Sequence, residues 1–555
     1  MLNYKFKSVL KNCFHQINNV GFSINILKIL LNKYNNELKI NKKNNKKTYK
    51  ETDYLIIMKL SKLKGKTIIV DCYTDEPSGL GVPPYLGVYP RLIYGAMKHW
   101  KKDISYITID DLRLKLNYSD KLEGETYNIR KSKKTNTNIL HSTKNIINKS
   151  IKELNEYNLI FIGGVHTPGK YLSAKPATRK EIDDIASEFE NTYIYGPLIY
   201  GSGLYGGATA SKSKIEPIKL DIKKEVAFKK SYPIIKEIPW DVMLEIETGV
   251  GCIRNQGCSF CTEPYKNKVS WREPEDILEE IEKFSNIGVD KIRFGKQTCF
   301  YSYQNFNLEK ITKLLKGLWK VSNPKVVHID NANPAHIITD YGKKVTELIV
   351  KYTTSGNIAA MGIESFDPIV SKRNNLNTNP EMAFKAIKII NKYGKKRGEN
   401  GMPKFLPGLN LLFGLPGETK ETHKHNMKYL NKLLKEDLLV RRINIREVVA
   451  FEDAPISNMK MPNNTQKYYW KWKNQIRKEI DNKMLKKVIP KGTILKDVYF
   501  EVYDGKKSFG RQYGTYPIIV GIDKRVQLNK PYDVKITDHM LRSVKGKIVN
   551  NFDVI

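Results

Sequence analysis

Three of the six cysteines in this chain fall within ten residues. Cys252, Cys258 and Cys261 have the spacing C-x5-C-x2-C, whereas Cys13, Cys72 and Cys299 are scattered. Disulfide frameworks spread their bridges through a fold, but clustered thiols in a long chain hold a metal or do redox chemistry. That usage predicts a reducing cytoplasm. A [4Fe–4S] cluster ordinarily takes four thiolates, so three would leave one iron with an open position. Catalysis needs such a position and a purely structural site avoids it. Two other readings stay open on the cysteines alone: a zinc ion, although no His stands near in sequence, and an inert electron-transfer cluster.

The elements around these cysteines predict an α/β fold. Thr67–Cys72, Ile104–Ile109, Leu159–Ile162 and Thr192–Tyr195 read as strands of a parallel sheet, with a helix over Tyr89–Trp100. Residues 58–210 therefore read as a Rossmann-like domain, with an Asn/Lys/Ser/Thr-rich exposed insertion at 117–152. Residues 240–460 repeat strand, loop and helix six times. The expected strands are Val242–Glu247, Lys291–Phe294, Val326–Ile329, Ile358–Ile363, Pro407–Phe413 and Ile443–Val449. Six such units make a barrel or partial barrel with ligands at the carboxyl ends of its strands. Residues 461–489 form a basic, aromatic helical linker. Residues 490–555 read as a small β-barrel, with strands at Val498–Tyr503, Tyr516–Gly521 and Tyr532–Thr537.

With Phe260 just before the third cysteine, Cys252–Cys261 resembles the radical S-adenosylmethionine (SAM) superfamily. The usual motif there is C-x3-C-x2-C, so the first gap here is two residues longer. The resemblance implies a [4Fe–4S] cluster on Cys252, Cys258 and Cys261 whose open iron binds SAM. An electron then cleaves SAM to methionine and a 5′-deoxyadenosyl radical, with ferredoxin or flavodoxin as electron donor. It also implies a (β/α)6 partial barrel. Other strand ends are similar to family motifs. Gly295-Lys296-Gln297 stands where the family has a Gly-x-Glu-like turn for the SAM amino group. Glu364 and Ser365 resemble strand-end contacts with SAM, and Asn374 lies in a stretch like the family's R-x-N segment. Gly414-Leu-Pro-Gly417-Glu-Thr resembles a fifth-strand turn whose glycines let backbone approach the adenosine. Arg446 is expected to point into the barrel toward SAM or substrate.

The flanks carry resemblances of their own. Val82-Pro-Pro-Tyr-Leu-Gly87 is similar to the Pro-Pro-x-Gly turn of N-terminal Rossmann-like domains that bind cobalamin. No Asp-x-His-x-x-Gly supplies a lower axial His, and His166 stands at a strand end without that context. Cobalamin held without a His, or a degenerate domain packed on the barrel, are the two readings. Residues 490–555 look like the TRAM barrel of methylthiotransferases, which grips tRNA or protein. Lys506, Lys507, Arg511, Lys524, Arg525, Lys530, Lys535, Arg542, Lys545 and Lys547 make this region basic, and Tyr513 and Tyr516 are expected to offer stacking faces for looped RNA or tRNA. Methylthiotransferases carry three further N-terminal cysteines for a second cluster. Only Cys72 lies between residues 58 and 251, which argues against two-cluster methylthiolation. The order of the three regions resembles an uncharacterised archaeal radical SAM family.

Composition sets the outer limits. The 555 residues are 40% hydrophobic and 10% aromatic, which supports a core, and the formal net charge is +37. No apolar run reaches the ~18 residues that span a bilayer, so no membrane partner is expected. Residues 1–57 hold eleven Lys and eleven Asn against three acidic residues. This low-complexity tail reads as a start-site artefact upstream of Met58 or a disordered segment, with a basic amphipathic anchor as the rival. The remaining positive charge suits a polyanionic partner. Three functions follow: a radical SAM enzyme that modifies RNA, one that acts on a small molecule or peptide with or without cobalamin, and an RNA-binding protein with a structural cluster.

Overall fold

The structure, a computed structural model, describes residues 57–76, 79–80, 84–116, 140–165, 176–203, 210–451, 453–462 and 465–549. The low-complexity tail up to residue 56, residues 81–83 of the Pro-Pro turn, His166 and the 117–139 part of the insertion lie outside them.

Alternation of apolar residues builds the first sheet. Its order is Met58–Lys59, Glu216–Lys219, Thr192–Tyr195, Asn158–Val165, Thr67–Glu76 and Gly79–Leu80, and Ile104–Thr108 also pairs with Thr67–Glu76. Pairing is parallel except for the short Gly79–Leu80 return. Side chains of a strand point alternately to its two faces. Ile69, Ile160 and Ile162 therefore join the core beneath the helix Val88–His99, while Ile68, Val70, Leu159 and Phe161 join a second core with Leu112, Ile182 and Ile185. The expected exposed insertion is corrected in its second half. The buried Asp111 carboxylate accepts hydrogen bonds from Ser142 Oγ at 2.6 Å and from Thr143 Oγ1 at 3.0 Å, and Ile146 is buried.

The six barrel strands are Met243–Glu247, Lys291–Gly295, Val326–Ile329, Asn357–Glu364, Phe405–Phe413 and Arg442–Glu447, all parallel. They form two three-stranded halves joined by a single bridge, Asn331 to Ala360. The sixth strand stops at Glu447, short of the expected Val449; its last ladder bond runs from the Val448 amide to the Phe413 carbonyl at 2.8 Å. Helices begin where caps stand. Pro274 opens Pro274–Ser285, and Asn307 and Asn379 accept from the first-turn amides of Leu308–Val321 and Pro380–Gly394.

Both open edges of the partial barrel are covered. Tyr85–Leu86 pairs in parallel with Met243–Leu244 and extends the first edge. The likeness of this segment to a cobalamin turn is therefore revised: part of it is an edge strand of the barrel. Along the sixth strand, Arg477 Nη1 donates to the Ile443 carbonyl at 2.5 Å and Tyr469 Oη to the Ile445 carbonyl at 3.3 Å. Both residues come from the linker, which forms Thr465–Ile476, a π-helical turn and Asn482–Val488.

The C-terminal region closes into a five-stranded barrel of Ile494–Asp504, Lys507–Arg511, Val520–Ile522, Pro531–His539 and Val544–Ile548. The strand expected at Tyr516–Gly521 begins only at Val520. The preceding residues form a loop that plugs the amino-terminal mouth of the large barrel. Thr515 N donates to His328 Nδ1 at 2.8 Å, and Tyr85 Oη to the Gly514 carbonyl at 2.8 Å. Tyr516 lies against the Arg442 guanidinium, 3.7 Å from its ring centroid. Tyr513 packs edge-on to Tyr499 beneath Lys291. Neither tyrosine offers the RNA-stacking face expected of it, because docking of the two barrels uses both.

Candidate cluster and SAM site

The cysteine loop springs from the carboxyl end of the first barrel strand. A two-stranded ribbon, Gly249–Val250 against Ser270–Trp271, closes its base. Gly251 has a φ of +81°, and a Cβ there would lie 2.7 Å from Val269, so the base admits only glycine. Glu263 accepts from the Gly251 amide at 2.8 Å and from Asn267 Nδ2 at 3.0 Å, which ties the two sides of the loop.

Cys252, Cys258 and Cys261 are free thiols and partly buried. Burial, the first cause in each case, pushes Cys258 and Cys261 up to about 12, and the other loop cysteines add to the rise. Metal binding would deprotonate them. Among the described residues no three His, Cys, Asp or Glu side chains converge tightly enough for a single metal ion.

The longer first gap is tied down by one residue. Asn375, at φ +47°, donates through Nδ2 to the carbonyls of Gln256 at 3.2 Å and Gly257 at 3.0 Å. Its carbonyl and Oδ1 accept from Arg254 at 2.9 and 3.0 Å, and Arg254 Nη1 also lies 3.4 Å from Cys258 Sγ. Position inside the cysteine gap was the only sequence signal for Arg254.

Several residues expected at SAM also brace the site. Asn374 Oδ1 accepts from Ser259 Oγ at 2.7 Å, and its Nδ2 donates to Pro416 and Val370 carbonyls at 2.8 and 2.9 Å. It thus braces the cysteine loop against the fifth-strand turn, with its side chain fully engaged. Ser365 Oγ accepts from the Asp367 amide at 3.1 Å and shapes a turn. Gly295 leaves room for Glu245, whose Oε1 would lie 2.6 Å from an added Cβ, and Gly417 leaves room for Arg373 at 2.8 Å. Both close approaches are to the protein's own side chains rather than to a ligand. Gly414, at φ +90°, gives its amide to Glu418 Oε2 at 2.7 Å.

Two expected residues keep the chemistry of a ligand site. Gln297 is 3% exposed, yet among the described residues neither its Oε1 nor its Nε2 has a partner. A buried amide left in that state costs several kcal/mol, on the order of 1–3 per group, unless something occupies the site. Thr298 Oγ1 donates to the Gly251 carbonyl at 3.1 Å, so Gln297 stands beside the cysteine loop. Glu364 follows a register shift at Gly362 and holds a φ of +55°. Burial pushes its carboxyl up to about 8. Thr248, just after the first strand, also has an unpartnered buried hydroxyl and was not foreseen. Arg446 lies level with Leu412 on the lumen-facing side of the sixth strand. Below it, Arg293 forms ion pairs with Glu245 and, at 2.5 Å, with Asp330, and Tyr516 Oη reaches Asp330 at 3.3 Å. This charged ladder was legible only as acids and an arginine inside apolar strands.

Comparison with known proteins agrees with this geometry. Residues 246–430 match the family model described as the radical SAM superfamily. The chain is 40% identical to an uncharacterised protein of Methanocaldococcus jannaschii, across 90% of this chain and 95% of that one. It is 27% identical to a tRNA-2-methylthio-N(6)-dimethylallyladenosine synthase of Ehrlichia chaffeensis, across 39% of this chain and 44% of that one. A solved structure of the radical SAM methyltransferase TsrM from Kitasatospora setae, with cobalamin and a [4Fe–4S] cluster bound, aligns over 71% of this chain and 77% of that one, at 11% identity and a TM-score of 0.37. The chain belongs to the radical SAM superfamily and shares a family with the archaeal protein. It is accordingly an enzyme whose family works with a [4Fe–4S] cluster and SAM. Three free thiols on one loop, and beside them a buried Gln297 without a partner among the described residues, fit that pair of groups. No helix among the described residues is long and apolar enough to cross a membrane.

Proposed function

We propose that this enzyme cleaves SAM reductively at a cluster held by Cys252, Cys258 and Cys261 and modifies RNA with the radical. The observation that carries the first part is the buried, unpartnered Gln297 next to three free thiols at the carboxyl end of the barrel. When bound, the cluster supplies the electron that breaks the sulfonium bond of SAM; a ferredoxin or flavodoxin would deliver it.

The chain's residues have separable tasks in this reading. Gln297 Oε1 accepts from the SAM amino group, and the Thr248 hydroxyl lies ready for a second polar contact. Glu364, itself at a left-handed φ two residues after Gly362, presents a carboxyl group to the same mouth. Arg446 faces the lumen, where substrate enters. The small barrel closes the opposite mouth, so water reaches the site from one end only. Two features support RNA: the positive charge that remains outside the tail, and the likeness to a relative whose name describes a tRNA-modifying synthase.

The test uses the anaerobically reconstituted full chain with SAM and dithionite. It should form 5′-deoxyadenosine, and the Cys252→Ala/Cys258→Ala/Cys261→Ala variant should form none and lose its cluster absorbance. Adding bulk tRNA should raise the yield and leave a new mass in digested nucleosides. An intact, reducible cluster that forms no 5′-deoxyadenosine with or without tRNA would overturn the proposal.

A further inference from the structure

The sixth strand is the flank of the partial barrel that the linker helix covers, and cations crowd this seam. Arg442 and Arg446 alternate along its lumen side. From the linker helix, Lys473 reaches the same edge, with its Nζ 2.8 Å from Tyr469 Oη. From the small barrel, the Met540–Ser543 turn is pinned to the linker by Asn482 Nδ2, which donates to the Met540 carbonyl at 2.7 Å, and this brings the exposed Arg542 to the flank. Arg441 stands beneath, donating to the Tyr516 carbonyl at 2.7 Å.

Cations outnumber the carboxylates along this flank. Among the described residues Asp481 is paired with Arg477, and Glu447 stands at the strand end. Crowding shows in the lysine itself: burial, then Arg477 and Arg542, push Lys473 down to about 8. Arg441 is likewise pushed down to about 9 by burial, with Arg442 and Arg542 adding to it. Cations gathered in excess of acids favour a polyanion.

The same flank carries an aromatic anomaly. Tyr469 and Trp472 of the linker helix are buried against Phe413, but Trp470 is 62% exposed. Lys473 Nζ lies 4.7 Å from the ring centroids of both Tyr469 and Trp470. An open indole beside a concentration of cations is the chemistry of single-stranded nucleic acid binding, in which bases stack and phosphates pair. Arg446 pairs with Leu412 two residues before Gly414, so the strip rises toward the same barrel mouth as the cysteine loop.

We propose that this flank holds a single-stranded segment of the RNA substrate, with Trp470 stacking a base and Arg446, Lys473 and Arg542 meeting phosphates. The assignment rests on the RNA reading above. The small barrel then serves as one bank of the groove through Arg542, rather than as the grip itself.

The experiment measures binding of a fluorescent stem-loop RNA to the full-length protein at two salt concentrations. Trp470→Ala should weaken binding about tenfold. Lys473→Gln with Arg542→Gln should flatten the salt dependence by about one unit of log–log slope for each phosphate no longer neutralised. Lys395→Gln with Lys396→Gln, in a separate basic surface group that includes Lys392 and Lys487, should change neither. Ultraviolet crosslinking of a bromouridine-substituted stem-loop to the wild-type protein gives a readout free of folding defects, and adducts should map to residues 465–476. Adducts confined to the small barrel, or wild-type affinity in the flank variants, would overturn the flank and leave the RNA reading standing. A wild-type protein that binds no RNA at either salt concentration would overturn both.

Discussion

Arg254 shows what one side chain does with a longer loop. The two extra residues in the cysteine gap place a guanidinium 3.4 Å from Cys258 Sγ and anchor it on Asn375. Hydrogen bonds to ligand sulfur stabilise the more negative, reduced state of an iron–sulfur cluster. Arg254→Gln should therefore keep the cluster absorbance but lower its midpoint potential in a titration followed by electron paramagnetic resonance. Gln297 acts on the other cofactor. Removing its acceptor with Gln297→Ala should raise the SAM dissociation constant about tenfold, the worth of a hydrogen bond to a charged amine. The cluster spectrum should stay unchanged, because Gln297 touches no cysteine sulfur. An equal loss of iron in that variant would instead mark a structural role.

At the scale of elements, the docked loop of the small barrel depends on a neutral histidine. The Thr515 amide can only donate, so His328 Nδ1 accepts and the ring proton sits on Nε2, 3.4 Å from the Ser355 carbonyl. Burial, the largest cause, pushes the His328 pKa down to about 3. Between that value and an ordinary histidine's ~6.5, the unfolded chain binds a proton that the folded chain refuses. Stability therefore rises with pH across this window and is lost as pH falls below ~6.5. The loss at about pH 5 amounts to about 2 kcal/mol for this one residue. Melting curves at neutral pH and near pH 5 should show the fall, and His328→Asn should show a smaller one. His336, which burial pushes down to about 4, contributes its own share in both proteins.

Across the whole molecule, the sheet and the large barrel are locked by a buried cation. Arg91, on the helix over the sheet, is 0% exposed and lies between Phe228 and Phe284. It forms an ion pair with Glu280 of the barrel, donates to the Glu245 carbonyl, and reaches the Gly87 carbonyl at 3.1 Å. Glu280 also pairs with Arg272, so deleting Arg91 removes one of two buried cations from that carboxylate, at a cost on the order of 1–3 kcal/mol. Arg91→Ala should lower stability by that amount. One apolar core also runs from Leu60 of the sheet to Val544 of the small barrel. Chemical denaturation should accordingly be a single transition in the wild type, and Arg91→Ala should split off the sheet.

The sequence by itself determined what local chemistry can encode. Clustered cysteines announced a metal site, and β-branched runs announced the six strands of the large barrel within two residues at each end. Each of these signals lies within one turn or one strand of chain. Tertiary structure decided which of the suspected residues face a ligand. Asn374 and Ser365 stand at motif-like positions, and packing gives them bracing bonds to Ser259, Pro416 and the Asp367 amide that no local pattern announced. Gln297 stays a candidate because folding buried it with no partner among the described residues. The tyrosines of the small barrel changed role for a related reason. A tyrosine face is indifferent between a base and an arginine, and only docking onto the large barrel brought Arg442 to Tyr516. Whether a polar or aromatic group is spent inside the fold or left for a ligand depends on neighbours far away in sequence.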